Sequence, residues 1–288
     1  MKKLFTWVLT LIFTISLCGC ATEENKESDK LQVYTSFYAM YDFAKQICGD
    51  KADIHILCPT GQEPHDYEPT PKDIARLSSA DIFVYNSMGM EHWADSVIET
   101  LDGSDVICVN TTYNAPFIID NNDPHVWLNP KNAFSQMAAI YDAVIAVDPD
   151  NMEYYNDNLE NCRNKIGNLM NDYNKAVKNF KSQDIVVSHA AYGNLCHAFG
   201  LNQVPINGID NSADPSPSQM AKTEKFIKDN NITHIFKEPL GTSTLVDTIA
   251  KDTNTQVLVL DPFEGSPEGK DYFTVMYENL EALKTALS

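Results

Sequence analysis

The sequence predicts an α/β protein of two Rossmann-like (β/α) lobes joined by a long rigid helix. Three observations predict it. Short strand-like runs alternate with helix-like runs, which marks parallel sheets carrying helices on their faces. The alternation occurs twice, over 31–148 and again over 182–288. Between the two series, within 149–181, apolar or aromatic residues recur every three or four positions at Tyr155, Leu159, Cys162, Ile166, Leu169, Tyr173 and Val177. No proline interrupts that stretch from Asp150 to Phe180, so it reads as one amphipathic helix. At about thirty residues and 1.5 Å per residue it would be about 45 Å long, enough to run the height of two domains.

The first series opens with Leu31–Thr35 as a strand, followed by helical spacing at Phe37, Met40, Tyr41, Ala44, Ile47 and Cys48 that Gly49-Asp50 stops. Asp53–Cys58 alternates as a second strand and runs into Gly61-Gln-Glu-Pro-His-Asp-Tyr-Glu-Pro-Thr-Pro71. Prolines that dense stiffen the backbone and exclude a regular helix or a central strand, so the loop suits a side chain presented in one fixed direction. Pro71 then starts a helix over Lys72–Ser79. Asp81–Tyr85 is a strand, Met90–Leu101 a helix and Asp105–Val109 a strand. A second proline-bracketed loop, Asp120-Asn-Asn-Asp-Pro-His-Val-Trp-Leu-Asn-Pro130, leads into a helix over Lys131–Val147.

The second series repeats the pattern. Asp184–Ser188 is a strand ending at His189, Ala190–Phe199 a helix stopped by Gly200, and Gln203–Asn207 a short strand. Asp214-Pro-Ser-Pro217 opens a helix to Asn230. Ile232–Phe236 is a strand, Thr242–Lys251 a helix, Gln256–Leu260 a strand and Gly269–Leu287 the last helix.

The N-terminus reads as an export signal. Met1-Lys2-Lys3 is a basic start, and Leu4–Leu17 is an apolar run of signal-peptide length, short of the roughly 20 residues a membrane span needs. It ends at Leu17-Cys18-Gly19-Cys20, similar to a bacterial lipobox in which cleavage over 1–19 leaves Cys20 as a lipid-modified N-terminus. Residues 20–30 are polar, as a flexible tether to the outer face of a membrane would be. Cys48, Cys58, Cys108, Cys162 and Cys196 show no C-x-x-C spacing, which argues against a zinc–cysteine site. The balance of 21 Lys and Arg against 40 Asp and Glu, a formal charge of −19, excludes a nucleic-acid partner, because phosphate binding needs clustered cations.

Of seven histidines, His55, His92, His197 and His234 read as structural. His65, His125 and His189 differ: each lies in the loop or at the edge that follows a predicted strand, where parallel sheets bind ligands. Asp261, directly after Gln256–Leu260, has the same kind of position. Three imidazoles and a carboxylate form an ordinary tetrahedral set for Zn²⁺, and Mn²⁺ or Fe²⁺ accept the same donors. Asp66, Glu68, Asp123, Asn129 and Glu238 are candidates to orient the imidazoles through their second nitrogens. Trp127 and Tyr192 read as packing.

Pro64-His-Asp-Tyr-Glu-Pro-Thr-Pro71, His125-Val-Trp-Leu-Asn-Pro130, Ser188-His-Ala-Ala-Tyr-Gly193 and Leu260-Asp-Pro-Phe-Glu-Gly265 resemble, in this order, the four signature segments of the zinc/manganese-type solute-binding lipoproteins that serve ABC importers. The resemblance implies a metal in the cleft between two lobes, held by His65, His125, His189 and Asp261, with Glu264 as the alternate fourth ligand. It also implies a monomer that hands the metal to a membrane permease. Histidine at 189, where manganese-type members commonly carry glutamate, favours Zn²⁺. The segment Tyr113–Pro124 is short and lacks the histidine-rich loop of many zinc-type members, which keeps Mn²⁺ as the alternative.

Two other classes compete. A secreted metallohydrolase would need an open coordination position, and the sequence has no H-E-x-x-H, no G-x-S-x-G and no Walker A. A matrix-binding adhesin is neither supported nor opposed by these residues.

Overall fold

Two four-stranded sheets carry the fold, and every strand pairing in both is parallel. The computed structural model describes residues 30–87, 89–118, 120, 122–209, 215–240, 244–265 and 269–288. The expected signal segment, Cys20 and the tether up to Asp29 lie outside the described residues.

The first sheet contains β1 (Leu31–Thr35), β2 (Ala52–Ile56), β3 (Ile82–Tyr85) and β4 (Ile107–Asn110), in the order β2-β1-β3-β4. The second contains β5 (Asp184–Val187), β6 (Asn202–Pro205), β7 (His234–Lys237) and β8 (Gln256–Val259), in the order β6-β5-β7-β8. The two orders are the same, so each lobe reverses its winding beside its first strand. Crevices outside the carboxyl ends of the strands form at such reversals.

Helices α1 (Tyr38–Cys48), α2 (Pro71–Leu77), α3 (Ala94–Thr100) and α4 (Pro130–Val147) belong to the first lobe. Helix α5 (Met152–Val177) links the lobes. Helices α6 (Gly193–Phe199), α7 (Pro217–Asp229), α8 (Thr244–Thr253) and α9 (Tyr272–Leu287) complete the second. Local chemistry explains several of these starts. Pro71 and Pro217 sit in the first turns of α2 and α7, where a missing N–H costs nothing. Thr70 with Asp73, and Ser216 with Gln219, form reciprocal capping boxes there.

The linking helix is 26 residues long, about 39 Å, rather than about thirty. Pro149–Asn151 forms a separate 3-10 turn before it. It buries Tyr155, Leu159, Cys162, Ile166, Leu169, Tyr173 and Ala176, with Ala176 in the place expected for Val177. Helix α3 starts at Ala94 rather than near Met90. Glu91 is the reason: its buried carboxylate accepts from Ser36 Oγ (2.5 Å), Asn86 N (2.9 Å) and Ser87 N (2.8 Å), so its segment is folded back onto the strand ends. Helix α9 starts at Tyr272 because Asp271 caps it, accepting from Thr274 N at 2.8 Å.

One apolar core runs from the first sheet through α5 and α9 to one face of the second sheet at Ile185, Val187 and Phe236. The opposite face of that sheet, with Val186 and Ile235, packs a smaller core against Ile227, Val246 and Ile249 of α7 and α8. Successive strand residues point to opposite faces, so one short strand feeds both cores. Cys48, Cys58, Cys162 and Cys196 are buried and Cys108 half-buried, all as free thiols. Burial pushes the Cys48, Cys58 and Cys196 thiols up to about 12, which makes them inert small apolar groups.

Candidate metal centre

Each strand-end loop fixes one side chain by its own local bonds. His65 sits in a 3-10 turn, Pro64–Asp66, whose capping residue Glu63 accepts from the His65 backbone N–H at 3.4 Å. His125 precedes a second 3-10 turn, Val126–Leu128. One oxygen of Asp123 accepts from both its backbone N–H (3.0 Å) and its ring Nδ1 (2.7 Å). His189 leaves the end of β5, where Glu238, just past β7, accepts its Nδ1–H at 2.6 Å. The same Glu238 oxygen takes the Ser188 hydroxyl at 2.5 Å. Glu264 comes from the turn after β8.

Those local bonds direct three imidazole nitrogens and a carboxylate oxygen to one point between the lobes. Candidate ligand atoms of His65, His125, His189 and Glu264 all lie within 4.8 Å of one another. His125 Nε2 is 3.2 Å from His65 Nε2, 3.5 Å from His189 Nε2 and 2.8 Å from Glu264 Oε1. Glu264 Oε1 is 3.8 Å from both His65 Nε2 and His189 Nε2. Four donors at bond lengths of about 2.0–2.2 Å around a tetrahedral ion stand about 3.3–3.6 Å apart, so these separations bracket the edges of such a site. Asp123 and Glu238 hold the Nδ1 protons of His125 and His189, so in the neutral form of each ring the Nε2 lone pair is directed inward.

Without an ion the cluster stabilises itself by charge. Burial alone would push the His125 ring down, but its hydrogen bond to Asp123 and the close Glu264 carboxylate outweigh that and raise it to about 10. His189 is likewise disfavoured as a cation by burial and raised on balance by Glu238 and Glu264. Burial works to raise Glu264, yet the close His125 ring and the other two imidazoles bring it to about 2. His125, His189 and Glu264 are 0%, 1% and 3% exposed, so this charge interacts at low local dielectric.

The structure brings Glu264, the alternate, and not Asp261 to the three imidazoles. Asp261 is committed elsewhere: its Oδ1 accepts from the Phe263 N–H at 2.8 Å, closing a tight turn. Phe263 takes φ 62°, a left-handed conformation that costs a bulky residue about 1–2 kcal/mol. Full burial of its ring, about 2 kcal/mol, offsets that strain. The turn advances the chain by three residues and reverses which carboxylate faces the cleft.

Of the five candidate orienting residues, Asp123 and Glu238 contact imidazoles. Asp66 is exposed, Glu68 pairs with His92 at 3.2 Å, and Asn129 caps α4 through Lys131 N at 3.1 Å. Trp127 and Tyr192 are buried and also make specific hydrogen bonds. The Trp127 indole donates to the Pro262 carbonyl at 2.7 Å, and the Tyr192 hydroxyl to the Leu260 carbonyl at 2.6 Å. Two asparagines that no sequence motif marks also act here. Asn86 donates to the Pro124 carbonyl at 2.9 Å, and Asn194 reaches across from α6 to Asp123 Oδ2 at 3.1 Å. Neither stands in a pattern that a linear reading can separate from other asparagines.

Comparison with known proteins agrees with this geometry. The family described as zinc-uptake complex component A, periplasmic, matches residues 33–286. The chain is 34% identical over 308 residues to the high-affinity zinc uptake system protein ZnuA of Bacillus subtilis, covering 96% of this chain and 97% of that protein. It is 32% identical over 306 residues to the zinc-binding lipoprotein AdcA of Streptococcus pneumoniae, where 99% of this chain spans 61% of the longer relative. The crystal structure of the Zn(II)-bound ZnuA-like domain of that AdcA superposes with a TM-score of 0.80 at 34% identity, covering 90% of this chain and 99% of the domain. With the family matched over nearly the whole described chain, and the same two-lobed fold in its relatives, this protein belongs to the zinc-uptake component A family of metal-binding solute-binding proteins.

Proposed function

We propose that this protein captures a divalent transition metal, Zn²⁺, outside the cell and delivers it to an ABC-type membrane importer. His65, His125, His189 and Glu264 are the four ligands, and Asp123 and Glu238 orient two of the imidazoles. The observation that carries this reading is the convergence of the four donor groups within 4.8 Å in a buried interlobe site. Three neutral nitrogens and one carboxylate suit Zn²⁺ better than the harder Mn²⁺. Four protein ligands close a tetrahedral site, and a closed site serves capture rather than hydrolysis.

The remaining assignments belong to the same reading. Residues 31–148 and 182–288 are the two lobes and 149–181 the connection. Residues 1–19 are a lipoprotein signal, Cys20 is the lipid-bearing N-terminus, and 20–30 tether a monomer to the outer face of the membrane. The names of the relatives as a zinc uptake protein and a zinc-binding lipoprotein support both the cargo and the anchor.

Titration of the demetallated protein with Zn²⁺ and Mn²⁺ tests the proposal. One equivalent of tightly bound Zn²⁺ is expected, with Mn²⁺ bound more weakly and His189→Ala losing most of the zinc affinity. Absence of stoichiometric zinc binding would end it.

A further inference from the structure

Glu264 reaches the site from a turn whose shape is set by residues that do not touch the site. Asn279, buried on α9, grips Asp261 from both sides: its Oδ1 accepts from Asp261 N (2.8 Å) and its Nδ2 donates to Asp261 O (2.8 Å). From that anchored residue the Asp261 carboxylate holds the Phe263 N–H at 2.8 Å. Between them the Pro262 carbonyl accepts the Trp127 indole N–H at 2.7 Å. Trp127 belongs to the first lobe and is fully buried against Phe37 and His125. Phe263, held at φ 62°, packs edge-on against Tyr38 of the first lobe and Tyr272 of α9. After Glu264, a Cβ at Gly265 would run into the Leu240 side chain, so a residue without one fits there.

From these contacts we infer that Trp127 and Asp261 are positioning residues for the fourth ligand. The Trp127 N–H pins the Glu264 turn to the first lobe, and the Asp261 carboxylate holds Phe263 in the conformation that turns Glu264 inward. Asp261 therefore acts on the metal through the backbone of its own turn, as an acceptor, and its negative charge is not what the site uses. The inference rests on the reading of His65, His125, His189 and Glu264 as a metal site, and it adds what makes that site four-coordinate.

Two kinds of variant separate this role from the alternatives. Trp127→Phe keeps an aromatic ring in the same cavity and removes the N–H. Asp261→Asn keeps an oxygen able to accept from the Phe263 N–H, whereas Asp261→Ala does not. The full chain, wild type and variant, is loaded with Zn²⁺ to measure affinity by chelator competition. It is loaded separately with Co²⁺, whose visible absorption reports coordination number. Circular dichroism confirms that each variant is folded. Supporting residues of metal ligands typically contribute roughly 10–100-fold in affinity.

Trp127→Phe and Asp261→Ala are each expected to weaken zinc by about tenfold or more. Both are expected to shift the Co²⁺ spectrum toward that of Glu264→Ala, and Asp261→Asn to recover most of what Asp261→Ala loses. If Asp261→Asn is as damaging as Asp261→Ala, the charge of Asp261 matters directly and the inference fails. Trp127→Phe with unchanged affinity and an unchanged spectrum also overturns it. Failure of the wild-type protein to bind zinc would instead remove the metal-site reading itself, so the two failures are distinguishable.

Discussion

His125 and Glu264 meet across the lobe boundary, Nε2 to Oε1, at 2.8 Å, closer than either comes to His65 or His189. Neither side chain is more than 3% exposed. In the metal-free protein this contact joins a raised imidazole to a lowered carboxylate. On the proposed reading both become ligands when an ion is bound, so the same two atoms would serve the stability of one state and the affinity of the other.

His125→Ala should therefore have two effects. Metal-free, it leaves Glu264 buried without its nearest partner, and breaking such a pair costs about 3 kcal/mol. Metal-loaded, it removes a ligand, which should weaken zinc by more than the roughly 10–100-fold that supporting residues contribute. Urea denaturation with chelator present reads the first effect, and zinc competition the second. Unchanged metal-free stability would show that His65 and His189, each 3.8 Å from Glu264, already satisfy it.

Glu238 takes the His189 Nδ1 proton and the Ser188 hydroxyl on one oxygen. Glu238→Ala releases the ring and should cost roughly 10–100-fold in zinc affinity, with Glu238→Gln losing less because an amide oxygen still accepts the proton. Equal losses for the two variants would assign the effect to charge rather than to ring orientation. Isothermal titration of both variants against one chelator decides it.

Metal removal should lower thermal stability by mass action. Free zinc at a thousand times Kd stabilises the folded state by about 4 kcal/mol. At about 2–4 °C per kcal/mol for a domain of this size, chelation should lower Tm by roughly 10 °C. Differential scanning calorimetry with and without chelator measures the shift. The same Tm in both conditions would mean that zinc does not bind the folded protein selectively.

Asp42 predicts a pH dependence remote from the metal. It is buried beneath the start of α9, where its Oδ2 accepts from Tyr272 N at 3.1 Å. Burial raises it to about 7, assisted by nearby Asp271 and opposed by the Tyr272 N–H, Gln46 and Lys45. Its folded pKa lies above its unfolded value of 3.8. Its contribution is thus fully present below pH 3.8 and is lost as pH rises through 7. Asp42→Asn, whose amide oxygen still accepts from Tyr272 N, should be more stable than wild type by up to about 4 kcal/mol at pH 8, with little advantage at pH 4. Urea midpoints at both pH values test this, and an advantage independent of pH would refute it.

Much of the fold was legible because its signals are local. A proline at a helix start, a capping pair three residues apart and apolar spacing of three or four each depend on neighbours within one turn. Leu31–Thr35 and Pro217–Asp229 accordingly fall where those signals place them. The misplaced start of α3 follows from a distant bond: Glu91 folds its segment back to hold Ser36, 55 positions earlier. The three histidines were legible for a related reason, since each lies in the connection that follows a strand, and parallel strands deliver their carboxyl ends to one crevice.

The sequence by itself determined the two βα series, the helix between them, and the placement of His65, His125 and His189 in connections that follow strands. Periodicity and backbone stiffness are properties of short stretches of chain. Tertiary structure decided which carboxylate joins them. That choice depends on the φ of Phe263 and on hydrogen bonds from Trp127 and Asn279, which lie 135 and 18 positions from their partners in the turn. The direction a side chain takes out of a tight turn is settled by what the fold packs against it, and no pattern in Asp261-Pro-Phe-Glu264 alone records that.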